Sequence, residues 1–143
     1  MKILRYASAI WNGPVPTGTG SMSLGRNQGT TIPFSLKSRT EENAGTNPEE
    51  MLGAAHAGCF SMALTSILED AGLNVGSIET SAKVTLEQKS DGFYITEIHL
   101  ISRGKNQACT NEEFVSYAER AKKTCPVSKL FASAEITLDA ALA

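Results

Sequence analysis

The sequence has no excess of basic residues: 13 lysines and arginines stand against 15 aspartates and glutamates, a formal charge of −2. That balance gives no electrostatic footprint for nucleic acid. With no polybasic run, nothing prepares the chain for a membrane surface either. The opening residues Met1-Lys2-Ile3-Leu4-Arg5-Tyr6-Ala7 lack the apolar stretch and cleavage site of a secretory signal, so a cytoplasmic location is expected. Cysteine is scarce. Cys59, Cys109 and Cys125 lie far apart, with no CxxC or zinc spacing, and neither a metal nor a cofactor is expected. In a reducing compartment such cysteines are free thiols, either inert in a core or reactive. No repeat, low-complexity tract or domain boundary is visible, so residues 1–143 are read as a single domain of ordinary size.

The early elements read as short strands. Tyr6 to Trp11 is a predicted strand, residues 13–20 a Gly/Pro loop, Met22 to Leu24 and Thr31 to Leu36 further strands, and Glu41 to Asn47 a polar loop. Then comes a long uncharged stretch of mostly small and apolar residues. Residues 51–68 contain no Asp, Glu, Lys or Arg. The length suits a membrane span, but the small residues, His56, Ser61, Thr65 and Ser66 make it only mildly apolar and the flanks lack anchors. A helix without a polar face is otherwise a buried central one. Asn47 as N-cap, Pro48 at N1 and Glu50 at N3 start it, and Gly72 stops it. Gly53 and Gly58 inside it predict close approach of another helix or a ligand.

Ile78 to Lys89 alternates apolar and polar residues and predicts a half-buried antiparallel strand. Ser90-Asp91-Gly92 is a turn and Phe93 to Arg103 the return strand. Thr110 with Glu113 opens a second helix with an apolar stripe of Phe114, Tyr117, Ala118 and Ala121, ending near Thr124. Pro126 starts a short helical turn, and Ala134 to Ala140 reads as a last strand. The order predicts an α+β fold with largely antiparallel sheet. One sheet cannot surround a buried helix, so a partner chain is expected to cover it.

Cys59 lies in the buried helix, where apolar surroundings raise a thiol's pKa. To react it needs a cation from elsewhere. The preceding segment offers Lys37 and Arg39, of which Arg39 is better suited, because a guanidinium stays charged when desolvated and can fork to two acceptors. Cys125, before Pro126, is placed to cap the next turn, where backbone N–H groups favour a thiolate; a core cysteine at a helix junction is the other reading. Cys109 sits in a polar loop, residues 104–110, and reads as a bystander. His56, three residues before Cys59, reads as a buried structural histidine, with a Cys-His pair as the alternative. Glu49 and Cys59 are ten residues apart, about 15 Å along a straight helix and about 80° around it. If both belong to one site, they come from different chains.

The run Gly45-Thr46-Asn47-Pro48-Glu49-Glu50-Met51-Leu52-Gly53-Ala54-Ala55-His56-Ala57-Gly58-Cys59-Phe60-Ser61-Met62-Ala63-Leu64 resembles the signature of the osmotically induced protein C and organic hydroperoxide resistance (OsmC/Ohr) superfamily. So do Cys125-Pro126-Val127-Ser128-Lys129 and the closing Ala134-Glu135-Ile136-Thr137-Leu138. The helix stretch looks like the osmotically induced branch. The other branch takes an arginine from the early loop, and residues 13–20 contain none. Arg39 then supplies the site cation, with Arg26 as an unplaced rival.

The resemblance implies an intertwined homodimer, with sheets wrapped around central helices and sites at the interface. It also implies a peroxidase acting on organic hydroperoxides with a dithiol reductant, a lipoyl protein among them. In that reading Cys59 thiolate attacks the peroxide and its sulfenic acid condenses with Cys125. Arg39 activates the thiolate and polarises the peroxide, and Glu49 orients Arg39. Cys125 is pinned at a helix junction and Cys109 lies in a loop, which favours a Cys59–Cys125 bridge. The alternative is a non-enzymatic stress or ligand-binding protein with buried cysteines.

Overall fold

A computed structural model describes residues 1–143 except 27–28, 43–44, 74–75 and 106–107. Parts of the loops predicted for 41–47 and 104–110 therefore lie outside the described residues. The chain forms two compact units, Met1–Met51 and Leu52–Ala143.

The first unit holds an antiparallel sheet, β1 (Ala7–Asn12), β2 (Thr19–Leu24) and β3 (Thr31–Phe34), in the order β1-β2-β3. Trp11, Gly20 and Phe34 share one cross-strand row. A Cβ at Gly20 would fall 2.7 Å from the Phe34 ring and 2.8 Å from the Trp11 ring. Glycine is what lets the two aromatics close over the middle strand, their centroids 5.4 Å apart. A short helix, α1 (Leu36–Thr40), follows where the sequence predicted the end of a strand. Ser35 explains it: its hydroxyl accepts from the Ser38 N–H while the Ser38 hydroxyl accepts from the Ser35 N–H. That reciprocal cap uses serine in place of the Glu or Gln that usually signals it.

The long helix α2 (Pro48–Asp70) starts in the first unit and continues in the second. Asn47 Oδ1 accepts from the Glu50 N–H at 2.8 Å, as its N-cap role requires. At the far end Leu73 N–H returns to Leu68 C=O and Gly72 N–H to Glu69 C=O, with Gly72 at φ +73°. This is a Schellman stop.

The second unit is built on β4 (Ser77–Lys89), β5 (Gly92–Lys105) and β6 (Glu135–Leu142), in the order β4-β5-β6. The β4–β5 hairpin is antiparallel, with a bulge opposite Thr85 and Leu86. β6 runs parallel to β5; the other described strand pairings are antiparallel, so the sheets are largely antiparallel as expected. The pattern of alternation has no direction, whereas a crossover connection does. Helices α3 (Asn111–Thr124) and α4 (Pro126–Leu130) provide that crossover. Thr110 and Glu113 exchange the two bonds of the capping box that opens α3.

Phe60, Leu64, Ile67 and Leu68 of α2 meet Ile98 and Leu100 of β5 and Phe114, Ala118 and Ala121 of α3 in one core. Each fully buried large side chain contributes about 1.5–3 kcal/mol. Gly53 lets α2 lie against β4, since a Cβ there would sit 3.2 Å from Val84 Cγ2. The neighbour is a strand, not the helix or ligand expected. A Cβ at Gly58 would meet nothing within 4 Å. α2 is also not buried all round: Ala54, Ala55, Gly58, Met62 and Ser66 are exposed in the single chain.

Candidate active site

Two groupings of reactive side chains stand out, one in each unit. In the first unit Arg39 projects from α1 and Glu49 from the first turn of α2. Asn47 links the two elements. Its Oδ1 caps α2 while its Nδ2 donates to Ser38 C=O at 2.9 Å. Arg39 Nε and Nη2 donate to the two Glu49 carboxylate oxygens at 3.2 and 2.5 Å. A forked, charge-assisted pair of this kind fixes the guanidinium plane. The Glu49 side chain is 11% exposed and that of Arg39 36%, so part of the cation is open to an incoming group. Beside it Trp11, Val15, Phe34 and Leu36 line a cavity of about 210 Å³ that reaches Ser35 and Arg39. Arg26 is engaged elsewhere: its guanidinium lies 3.8 Å over the Tyr6 ring and hydrogen-bonds the Tyr6 hydroxyl.

In the second unit the thiols of Cys59 and Cys125 meet, with the sulfurs 3.0 Å apart and both cysteines free. Cys125 is fully buried and Cys59 half-buried. Cys125 ends α3 by donating its N–H to Ala121 C=O and then starts α4. Its sulfur makes no capping bond to α4, contrary to the expectation that the start of that turn favours a Cys125 thiolate. The backbone amide of Val127 instead acts on Cys59 and lowers its pKa. Burial, and then the neighbouring Cys125 thiol, outweigh this and push Cys59 above the ordinary thiol range. As a single chain, then, this unit disfavours the thiolate.

Cys109, read from sequence as a bystander in a polar loop, packs against the core. Burial and the Glu113 carboxylate raise its pKa. His56 is buried as predicted, and its Nε2 lies 2.7 Å from Ser128 Oγ. Ser128, the Val127 amide and the Trp11–Phe34 wall were not singled out from sequence. The equal spacing of His56 to Cys59 and Cys125 to Ser128 was the available signal for one of them. Among the described residues no group of three His, Cys, Asp or Glu side chains could hold a metal.

The OsmC-like protein family matches residues 40–140. The chain is 41% identical over 139 residues to Peroxiredoxin OsmC of Escherichia coli K12, covering 97% of this chain and 96% of that one. It is 29% identical over 92 residues to Organic hydroperoxide resistance protein OhrB of Bacillus subtilis, covering 64% and 65% of the two chains. Among solved structures, an organic hydroperoxide resistance protein from Elizabethkingia anophelis aligns over the full length of both chains, with a TM-score of 0.76 at 25% identity. With near-complete coverage and a family match that spans both Glu49 and the two cysteines, the chain belongs to the OsmC-like protein family.

Proposed function

We propose that this protein is a thiol peroxidase that reduces organic hydroperoxides through Cys59, with Cys125 as the resolving thiol. The observation that carries the reading is the 3.0 Å approach of a half-buried to a fully buried thiol. The relatives named peroxiredoxin and organic hydroperoxide resistance protein support the reaction class. Cys59 thiolate attacks the distal peroxide oxygen, the O–O bond breaks, and the alcohol leaves. The resulting sulfenic acid condenses with the Cys125 thiol, releasing water. A dithiol, such as a lipoyl group, returns both cysteines to thiols by exchange.

The raised Cys59 pKa makes a cation necessary, and Arg39, aligned by Glu49, is the group proposed to supply it. Glu49 and Cys59 stand ten residues apart on one helix, about 15 Å along its axis. The ion pair of one copy is therefore proposed to serve the thiol of another, in a cytoplasmic homodimer formed of single-domain chains. The exposed small residues of α2 and Met62 support that pairing. The apolar cavity beside Arg39 supports an organic peroxide over hydrogen peroxide.

Steady-state consumption of cumene hydroperoxide and hydrogen peroxide, with dihydrolipoamide as reductant, tests the reading. Many turnovers per Cys59, with the organic peroxide preferred, are expected. Consumption that stops at one equivalent per chain would favour a non-enzymatic role.

A further inference from the structure

Helices α2 and α4 are joined at two points. Cys59 faces Cys125, and one turn away His56 faces Ser128. His56 precedes Cys59 by three residues and Ser128 follows Cys125 by three, so the two contacts form successive rungs between the same two elements. We propose that the His56–Ser128 pair is a positioning device that keeps Cys125 beside Cys59 while Cys59 is oxidised. The inference rests on the two-cysteine reading above.

α4 spans only five residues, and a helix that short has little stability of its own. It needs tertiary anchors. The His56–Ser128 bond is one, with His56 0% and Ser128 5% exposed. The Phe131 ring, at the end of α4, also stands edge-on to His56 at 5.5 Å. His56 Nδ1 is buried without a hydrogen-bond partner among the described residues. An unpaired buried acceptor is tolerated better than an unpaired N–H, so the proton belongs on Nε2 and the ring donates to Ser128 Oγ. Burial favours the neutral ring.

The consequence falls on a branch point. When Cys59 gains an oxygen, the sulfur–sulfur rung is interrupted. In one branch the Cys59–Cys125 S–S bond forms, the S–OH bond breaks, and hydroxyl and thiol proton leave as water. In the other, a second hydroperoxide transfers one oxygen to the sulfenic sulfur, giving sulfinic acid and releasing alcohol. The first is intramolecular and depends on where Cys125 is held. The second rung holds it there. His56 and Ser128 act through α4, so they are positioning residues and not catalytic ones.

The test is a titration of reduced protein with cumene hydroperoxide, without reductant, followed by mass spectrometry of the Cys59 peptide. The readout is the ratio of sulfinic acid to Cys59–Cys125 disulfide, which does not depend on the rate of the first step. Loss of one hydrogen bond in Ser128→Ala should raise that ratio about tenfold. Ser128→Thr should restore it, and His56→Gln, which keeps an N–H donor, should lie closer to wild type than His56→Leu. A ratio in Ser128→Ala equal to wild type overturns the proposal, even if the thermal midpoint falls, because that is the pattern of a merely structural bond. Should His56→Leu fail to fold, Ser128→Ala, which removes a single oxygen, carries the test. If wild-type protein forms no Cys59–Cys125 bridge at all, the two-cysteine reading fails and the positioning role fails with it.

Discussion

Glu49 accepts two hydrogen bonds from one guanidinium, that of Arg39, and so fixes the plane in which the cation can meet a third group. The pair carries the first prediction. Arg39→Met should slow peroxide oxidation of Cys59 and leave reduction of the disulfide near its normal rate. A lost charge-assisted contact is worth about 1.5–3 kcal/mol, or about 10- to 150-fold. Glu49→Gln keeps an acceptor but loses the charge, and should fall between wild type and Arg39→Met. Stopped-flow oxidation kinetics measure both. An unchanged rate in Arg39→Met would turn attention to Arg26.

The three cysteines should separate cleanly. Cys59→Ser should abolish turnover, and Cys109→Ser should leave it near wild type, since burial and Glu113 raise that thiol's pKa and favour its neutral form. Cys125→Ser should let Cys59 reach sulfenic acid and then over-oxidise in excess peroxide. Peptide mapping under non-reducing conditions should find Cys59–Cys125 in the wild-type chain. A dominant bridge to Cys109 would mean the roles are misassigned.

His56 predicts a dependence of stability on pH. Burial lowers its pKa below the ordinary 6.5, so the unfolded chain binds the proton more readily than the folded one. The stabilisation is complete above the unfolded value, declines as pH falls through it, and levels off below the depressed folded value. Thermal midpoints at about pH 7.5 and about pH 5 should therefore differ less in His56→Gln than in the wild-type protein. An identical difference in both would place the acid sensitivity in other groups.

Met62 is 76% exposed in the single chain. On a solvated helix face Met62→Glu should change stability by no more than about 0.5 kcal/mol. If the proposed homodimer covers that face, the buried, unpaired charge should instead disrupt association. Sedimentation equilibrium of both proteins decides the matter, and the expected result is a wild-type dimer and a largely monomeric variant. Wild-type monomer at micromolar concentration would contradict the dimer directly.

Much of α2 and of the second unit is legible in the amino-acid sequence. The cap residues Asn47 and Thr110, the stop at Gly72 and the alternation of Ile78 to Leu86 are local signals, and local signals are what a sequence carries openly. The chemistry proposed for Cys59 is read from its motif. What stays hidden depends on partners distant in the chain. The parallel direction of β6 is set by its crossover, not by its own residues. The Ser35–Ser38 cap is hidden because serine stands where an acidic residue usually marks N3. The hydrogen bond from His56 to Ser128 joins residues 72 apart, and only the matching three-residue offsets from the cysteines hint at it. Cys109 reads as a bystander because its loop is polar, although its own side chain reaches the core.

The thiols that meet are 66 residues apart in sequence, and β4, β5 and α3 all lie between them. Forming the proposed bond would turn an open chain into a ring that contains the hairpin and the crossover helix. In the chain-entropy account a ring of that size removes about 4 kcal/mol of freedom from the unfolded state. The oxidised molecule would then be the sturdier polymer and the reduced one the looser. Each turn of the cycle would tie and untie the same knotless ring, and the dithiol that restores reactivity would also return the chain to its more fragile connectivity.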